Sequence, residues 1–116
     1  TEQDIATITG TGLNWVRVPI PFWAIRCGFT LTSSPPQHIV RLFGWAHKYG
    51  ILVNLDLHTA PGSQNGECHS GKLGQINFLG GVMGYANVQH MLDYICFIIE
   101  FILRPEDKDR YRCLAL

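Results

Sequence analysis

The sequence has no excess of either charge and no apolar run long enough to span a bilayer. Lys plus Arg number 9, and Asp plus Glu also number 9, so no net positive field attracts a polyanion such as nucleic acid. The longest strongly apolar run, residues 95–103, contains Glu100 and is far shorter than the roughly 20 residues that cross a membrane. These absences argue against an electrostatic nucleic-acid binder and against a membrane-spanning helix.

Paired metal-binding cysteines and a basic leader are also absent. The four cysteines are widely spaced, without the Cys-x-x-Cys pairs typical of structural zinc, and they are Cys27, Cys68, Cys96 and Cys113. The first residues, Thr-Glu-Gln-Asp, are polar and acidic, unlike the basic start of a secretory signal. Neither feature indicates a compartment or a redox state.

What the sequence does contain is enough apolar residues for one small globular domain: 47% of 116 residues. Apolar spacing, prolines and glycines predict alternating helices and strands with two longer loops. The predicted segments are a helix to about Gly10, a strand at 13–20, a loop at 21–35, a helix from Pro36 to Tyr49, a strand at 51–57, a glycine-rich loop at 58–84, a helix at 88–102 and a possible strand at 111–116.

This alternating order predicts an α/β fold with parallel strands covered by helices. Two or three strands cannot cover both faces and both edges of a parallel sheet. We therefore expect either partner segments or an origin as part of a larger domain.

Two polar side chains stand at the ends of the apolar strands. Arg17 precedes Val-Pro in the first strand, and His58 follows Asp-Leu at the end of the second. Because carboxyl ends of parallel strands share one rim, Arg17 and His58 are predicted neighbours. Strand alternation turns Asp56 to the same side as His58, as a buried partner for some cation. The purely structural alternative is that Arg17 pairs with Asp56 or solvent, and His58 hydrogen-bonds a loop carbonyl.

Other chemistries have weaker support. Cys68, His69 and His58 could ligate zinc, but no fourth ligand is evident. Cys68 could serve as a nucleophile with His69 or His58 as base, yet adjacent residues of an extended segment point apart. The glycines at 80–81 and Gly84 lack the lysine and the spacing of a phosphate-binding loop. We predict neither a metal nor a cofactor.

Three motifs resemble glycoside hydrolase family 5, specifically its fungal-type exo-β-1,3-glucanase branch. They are Leu-Asn-Trp-Val-Arg-Val-Pro-Ile at 13–20, Gly-Trp-Ala at 44–46 and, most specifically, Asp-Leu-His-Thr-Ala-Pro-Gly-Ser-Gln-Asn-Gly at 56–66. The similarity continues to Leu-Asp-Tyr-Ile at 92–95 and diverges within 26–37. It extends over residues 1–108 of a single domain, 1–116.

The resemblance implies a (β/α)8 TIM barrel of which this chain supplies the early strands and helices only, so that residues 1–116 form an incomplete domain. It also implies a retaining glycosidase with two glutamates on later strands, about 5 to 5.5 Å apart. The first belongs to an Asn-Glu-Pro sequence, which these 116 residues do not contain. We therefore expect no glucanase activity from this chain alone. The competing hypothesis is a non-catalytic glucan-binding or interaction protein derived from a truncated barrel, with self-association through exposed sheet edges.

The resemblance also implies roles for residues at the strand ends. Arg17 resembles the arginine that orients the nucleophilic carboxylate and keeps it ionised, and His58 resembles the histidine that supports the sugar pocket. Trp23 either lines that pocket or packs beneath the loop. The implied ligand is β-1,3-glucan, and the implied location is extracellular or at the cell surface.

Four loop residues, Asn65, Glu67, Cys68 and His69, correspond to the segment where the family contacts sugar. Glu67 stands where an aromatic residue is common, and Cys68 where Asp or Asn is usual. Loss of the ring removes a surface on which a pyranose could stack.

Overall fold

The computed structural model describes residues 1–28 and 37–103, which form four helices and two strands. In chain order these are α1 (Glu2–Gly10), β1 (Trp15–Pro21), α2 (Phe22–Gly28), α3 (Gln37–Tyr49), β2 (Leu52–Thr59) and α4 (Gly84–Ile102). None of the helices within these two ranges combines the length and apolar character that a membrane span requires.

The two strands pair in parallel, as predicted. Arg17 lies opposite Asn54 and Pro19 opposite Asp56, and the regular register breaks after Ile20. Because side chains alternate along a strand, the register decides which residues share a face of the sheet.

One face of the sheet packs against the helices and forms the core. Ile20 and Val53 are buried on this face, and alternate residues of both strands pack beside them. The opposite face carries Trp15, Arg17 and Asn54, which are exposed. The β1–β2 pair is therefore apolar toward the helices and polar on its other face.

Helix α3 follows from its sequence pattern. Its apolar positions recur at spacings of three and four, and Phe43 and Ala46 of this stripe are fully buried. The helix ends before Gly50, whose φ of 67° is a left-handed conformation that glycine adopts without strain. The Phe43 ring lies 6.5 Å from that of Phe101, which joins α3 to α4.

The predicted loop at 21–35 is wrong in its first half, because residues 22–28 form α2. Ile25 is fully buried in the core, and the Phe22 ring stacks on Tyr94 at 6.1 Å. The Phe22 amide also donates to Thr59 Oγ1 at 3.2 Å. These tertiary contacts outweigh local signals that resembled a loop. The rest of that segment, 29–35, lies outside the described residues.

Other boundaries differ by a few residues. Strand β2 extends to Thr59, so His58 lies inside the strand rather than after it. Helix α4 begins at Gly84, one turn before the apolar spacing starts at Val88. The possible strand at 111–116 lies outside the described residues.

An ion pair between Glu2 and Lys48 joins α1 to α3 and makes the stability of this contact pH-dependent. The hydrogen bond from Lys48 holds the pKa of Glu2 below its usual value, and the same contact raises the pKa of Lys48. Because the Glu2 pKa is lower in the folded protein, its carboxylate stabilises the fold at pH values above the pKa of the unfolded state. This stabilisation is lost as the pH falls through the pKa of the folded state. The raised pKa of Lys48 stabilises the fold at pH values below the pKa of the unfolded state. This contribution is lost as the pH rises through the pKa of the folded state.

We expect Glu2→Gln to lower the melting temperature slightly at neutral pH, because the exposed pair is weak. The difference from the wild type should disappear as pH falls through the lowered pKa of Glu2, because protonation removes the charge from its carboxyl. Thermal unfolding monitored by circular dichroism measures this, with Glu100→Gln on α4 as the matched control. A Glu2→Gln deficit that persists unchanged in acid would contradict the ion-pair explanation.

Candidate functional site

Arg17, Asp56 and His58 form one contact cluster on the polar face of the sheet. Arg17 Nη2 donates to Asp56 Oδ2 at 2.7 Å, and His58 Nδ1 lies 2.7 Å from the same oxygen. Arg17 Nη2 and His58 Nδ1 are 3.3 Å apart. The predicted proximity of Arg17 and His58 is confirmed. The structural alternative is also partly met, since Arg17 pairs with Asp56, but the His58 ring contacts a carboxylate and not a loop carbonyl.

The register of the sheet produces this cluster. Arg17 lies opposite Asn54, so the two residues share a face, and alternation places Asp56 and His58 on that face as well. The guanidinium reaches one pleat along β2 to meet Asp56. A shift of one residue in register would move Asp56 and His58 to the apolar face.

The cluster is open to solvent. Side-chain exposure is 64% for Arg17, 33% for His58 and 20% for Asp56. The expectation that Asp56 partners a cation is confirmed by its contact with Arg17. Its expected burial is wrong, because the sheet in the described residues has only two strands and covers the carboxylate in part. All three side chains are accessible to a ligand.

The loop that follows β2 is anchored at its start by Gln64. The Gln64 side chain accepts from the Ala60 amide at 3.0 Å and donates to the His58 carbonyl oxygen at 3.0 Å. One side chain thus satisfies two main-chain groups at the end of the strand. This contact keeps the loop beside His58.

A buried pair of serines holds the loop together. Ser63 and Ser70 are fully buried, and the Ser63 hydroxyl donates to Ser70 Oγ at 2.7 Å. Ser63 Oγ also accepts from the Gly66 amide at 2.9 Å. Ser70 Oγ donates to the Glu67 carbonyl at 2.6 Å and lies 2.9 Å from that of Lys72. Buried hydroxyls with partners on all sides stabilise an otherwise irregular segment.

Three of the four predicted loop residues line an open cleft of about 440 Å³. The lining comprises Glu67, Cys68, His69, Gly71, Lys72 and Leu73. His69 has a left-handed φ of 66°, and its ring lies 5.9 Å from that of His58, edge to face. The His58–His69 contact places the cleft beside the Arg17–Asp56–His58 cluster.

The other two predicted residues occupy supporting positions. Asn65 Oδ1 accepts from the Glu67 amide at 2.9 Å, which shapes the turn into the cleft. Trp23 belongs to α2 and is 45% exposed. A Cβ placed on Gly71 would lie 2.9 Å from the Trp23 ring, so this ring packs directly under the loop. Of the two expectations for Trp23, packing under the loop is the one with a contact.

Metal and cysteine chemistry find little support in this geometry. Within residues 1–28 and 37–103, no group of three His, Cys, Asp or Glu side chains is arranged to hold a metal ion. Cys68 carries a free, exposed thiol. The His69 ring contacts that of His58, and among the described residues no hydrogen bond joins either ring to Cys68.

Sequence reasoning missed the polar framework of the loop and three lining residues, Gly71, Lys72 and Leu73. Ser63 has a left-handed φ of 72° although it is not glycine, and no sequence signal marks such a position. The one available signal was the pair of serines at 63 and 70 in a glycine-rich segment, where small hydroxyls often bond to main-chain groups.

Comparison with known proteins relates the chain to fungal glucosidases. No family model matches the sequence. "Probable glucan 1,3-beta-glucosidase D" from Aspergillus niger is 38% identical over 97% of this chain. "Glucan 1,3-beta-glucosidase D" from Emericella nidulans is 36% identical over 97% of the chain. This chain is homologous to part of glucan 1,3-beta-glucosidase D. It spans 13% of the length of these relatives.

Solved structures support the fold independently of the sequence. A rutinosidase from Aspergillus niger matches 99% of this chain with a TM-score of 0.72 and 18% identity. AoRut matches 99% with a TM-score of 0.73 and 20% identity. In each case the chain corresponds to 33% of the solved structure. At this identity the likeness shows a shared α/β fold.

Three glycines with different surroundings test how far the loop depends on close backbone packing. Gly62 has φ 79°, and an added Cβ would lie 2.7 Å from the Asn77 carbonyl oxygen, which also accepts from the Asn87 side chain. Gly74 has φ 95° with open space around it, and Gly80 has neither feature.

We expect Gly74→Ala to cost about 1 kcal/mol from backbone strain alone, and Gly62→Ala roughly 3 kcal/mol because a main-chain clash is added. Gly80→Ala should stay within about 0.5 kcal/mol of the wild type. Urea unfolding of the three variants measures the series. Equal losses for Gly62→Ala and Gly74→Ala would show that the packing at Gly62 contributes nothing.

Proposed function

We propose that this chain provides the arginine–histidine part of the sugar site of a retaining glycosidase that acts on β-1,3-glucan. The observation that carries the proposal is the convergence of Arg17, Asp56 and His58 on one exposed face, directly beside the loop cleft. The glucan ligand is suggested by the names of the homologues, and the geometry is compatible with it.

The chemistry of the cluster suits a polyhydroxylated ligand. A guanidinium only donates hydrogen bonds, a carboxylate only accepts them, and a neutral imidazole does one of each. Sugar hydroxyls both donate and accept, so a mixed set of side chains can satisfy neighbouring hydroxyls. The cluster is accessible, and the adjacent cleft of about 440 Å³ lies within the usual size of small-molecule sites.

The same proposal includes the wider architecture. The parallel β1–β2 pair with helices on one face is the arrangement expected at the beginning of a (β/α)8 barrel, with the polar face directed to the barrel interior. In that arrangement residues 1–116 are an incomplete barrel domain. The extracellular or cell-surface location belongs to this proposal as well.

We do not propose that this chain hydrolyses glucan by itself. Retention requires two carboxyl groups about 5 to 5.5 Å apart, one as nucleophile and one as acid and base. Around the cluster, the described residues offer Asp56 and Glu67. Asp56 already accepts from Arg17 and contacts His58, which leaves Glu67 alone. This observation favours the second candidate function, glucan binding without cleavage, for the isolated chain.

Binding is tested by NMR titration of the purified chain with laminaritriose. We expect the side-chain signals of Arg17 and His58 to shift, because both contact the sugar. Arg17→Ala and His58→Ala should each weaken binding about tenfold, the effect of losing a hydrogen bond to a charged or strongly polar group. The exposed α3 variants Arg41→Ala and His47→Ala are matched controls, and they should bind like the wild type.

Two results would overturn this proposal. The first concerns binding: either the NMR shifts are confined to residues far from the cluster, or Arg41→Ala weakens laminaritriose binding as much as Arg17→Ala does. The second concerns catalysis: release of glucose from laminarin by the purified 116-residue chain would contradict the assignment of cleavage to residues outside it.

A further inference from the structure

Two side chains direct their nitrogen atoms at a single oxygen of Asp56. Arg17 Nη2 and His58 Nδ1 both lie 2.7 Å from Asp56 Oδ2. A guanidinium has only donors, so Oδ2 must accept from Arg17 and cannot carry a proton on that side. A lone pair on His58 Nδ1 facing the same oxygen at this distance would be repulsive. The proton between His58 and Asp56 therefore resides on Nδ1.

The third distance in the cluster is longer than the two contacts with Asp56. Arg17 Nη2 lies 3.3 Å from His58 Nδ1, against 2.7 Å from each nitrogen to Asp56 Oδ2, so Oδ2 is the shared acceptor and the two nitrogens face it as donors. With a neutral imidazole the cluster has one positive and one negative charge. A charged imidazole would add a second positive charge beside the guanidinium, in a group of side chains that contains one carboxylate.

We infer that Asp56 is a positioning residue, which fixes His58 as the Nδ1–H tautomer and holds Arg17 beside it. The other ring nitrogen, Nε2, is then left with its lone pair. It can accept a hydrogen bond from a ligand hydroxyl. An aspartate that orients a histidine through Nδ1–H has the same effect in hydrolases of other folds.

The consequence for recognition rests on the proposed function. If the ligand is a glucan, His58 contacts a hydroxyl that donates, and Arg17 supplies the donors for oxygens that accept. Asp56 Oδ2 already accepts from two donors, so this oxygen affects binding through the positions of His58 and Arg17.

The test is the tautomer of His58, read from its ring ¹⁵N shifts in long-range ¹H–¹⁵N spectra. At about pH 8, where a typical imidazole is neutral, the wild type should show a protonated Nδ1 and an unprotonated Nε2. Asp56→Ala removes the acceptor and leaves the donor Arg17 Nη2 3.3 Å from Nδ1, so the ring should change to Nε2–H, by about tenfold or more in tautomer ratio. Asp56→Asn should retain the wild-type tautomer, because its amide oxygen can accept from both donors, and Asp93→Ala on α4 is the matched control.

The wild-type spectrum decides the matter without any variant: an Nε2–H ring in the wild type would overturn the inference, even if Asp56→Ala failed to fold. An unchanged tautomer in folded Asp56→Ala would also overturn it. Laminaritriose titration separates this inference from the proposed function. Tautomer exchange in Asp56→Ala, combined with no laminaritriose binding by the wild type, would refute the glucan ligand and support the role of Asp56.

Discussion

The parallel register of β1 and β2 is the constraint on which the candidate site depends. Arg17 and Asp56 are 39 positions apart, and only strand pairing brings them together. Because Arg17 lies opposite Asn54, its long side chain can reach Asp56, the next residue of β2 on the same face of the sheet. The same register directs alternate apolar residues to the helices, so the core and the site are specified by one arrangement of hydrogen bonds.

Because the apolar core forms on the face that packs against the helices, the polar face of the sheet can be exposed without loss of stability. Burial of Ile20, Val53 and Phe43 on the helical side supplies the apolar contacts that hold the strands together. The cluster is not needed for that purpose: an ion pair with one side chain 64% exposed contributes little to stability. Its donors and acceptors are nevertheless held in fixed positions on an exposed face, and such preorganisation lowers the cost of binding a ligand.

Sequence reasoning succeeded where a local pattern has a direct structural consequence. The spacing of apolar residues placed α3, and the position of Arg17 and His58 near strand ends predicted their contact. It failed at α2, because the stability of residues 22–28 as a helix comes from the burial of Ile25 and the contact of Phe22 with Tyr94. These contacts join distant segments, and no property of the local sequence reports them.

In the loop after β2, the residues that hold the loop together are different from the residues that line the cleft. Its supporting groups are Ser63 and Ser70, which are fully buried, and Gln64, which bonds to the main chain of β2. Glu67 and Cys68, the two departures from the pattern of the resembling family, are exposed in the cleft. Substitutions at exposed positions change what the cleft contacts without removing the bonds that shape it. The departures therefore change the side chains that line the cleft and leave intact the contacts that shape the loop beside His58.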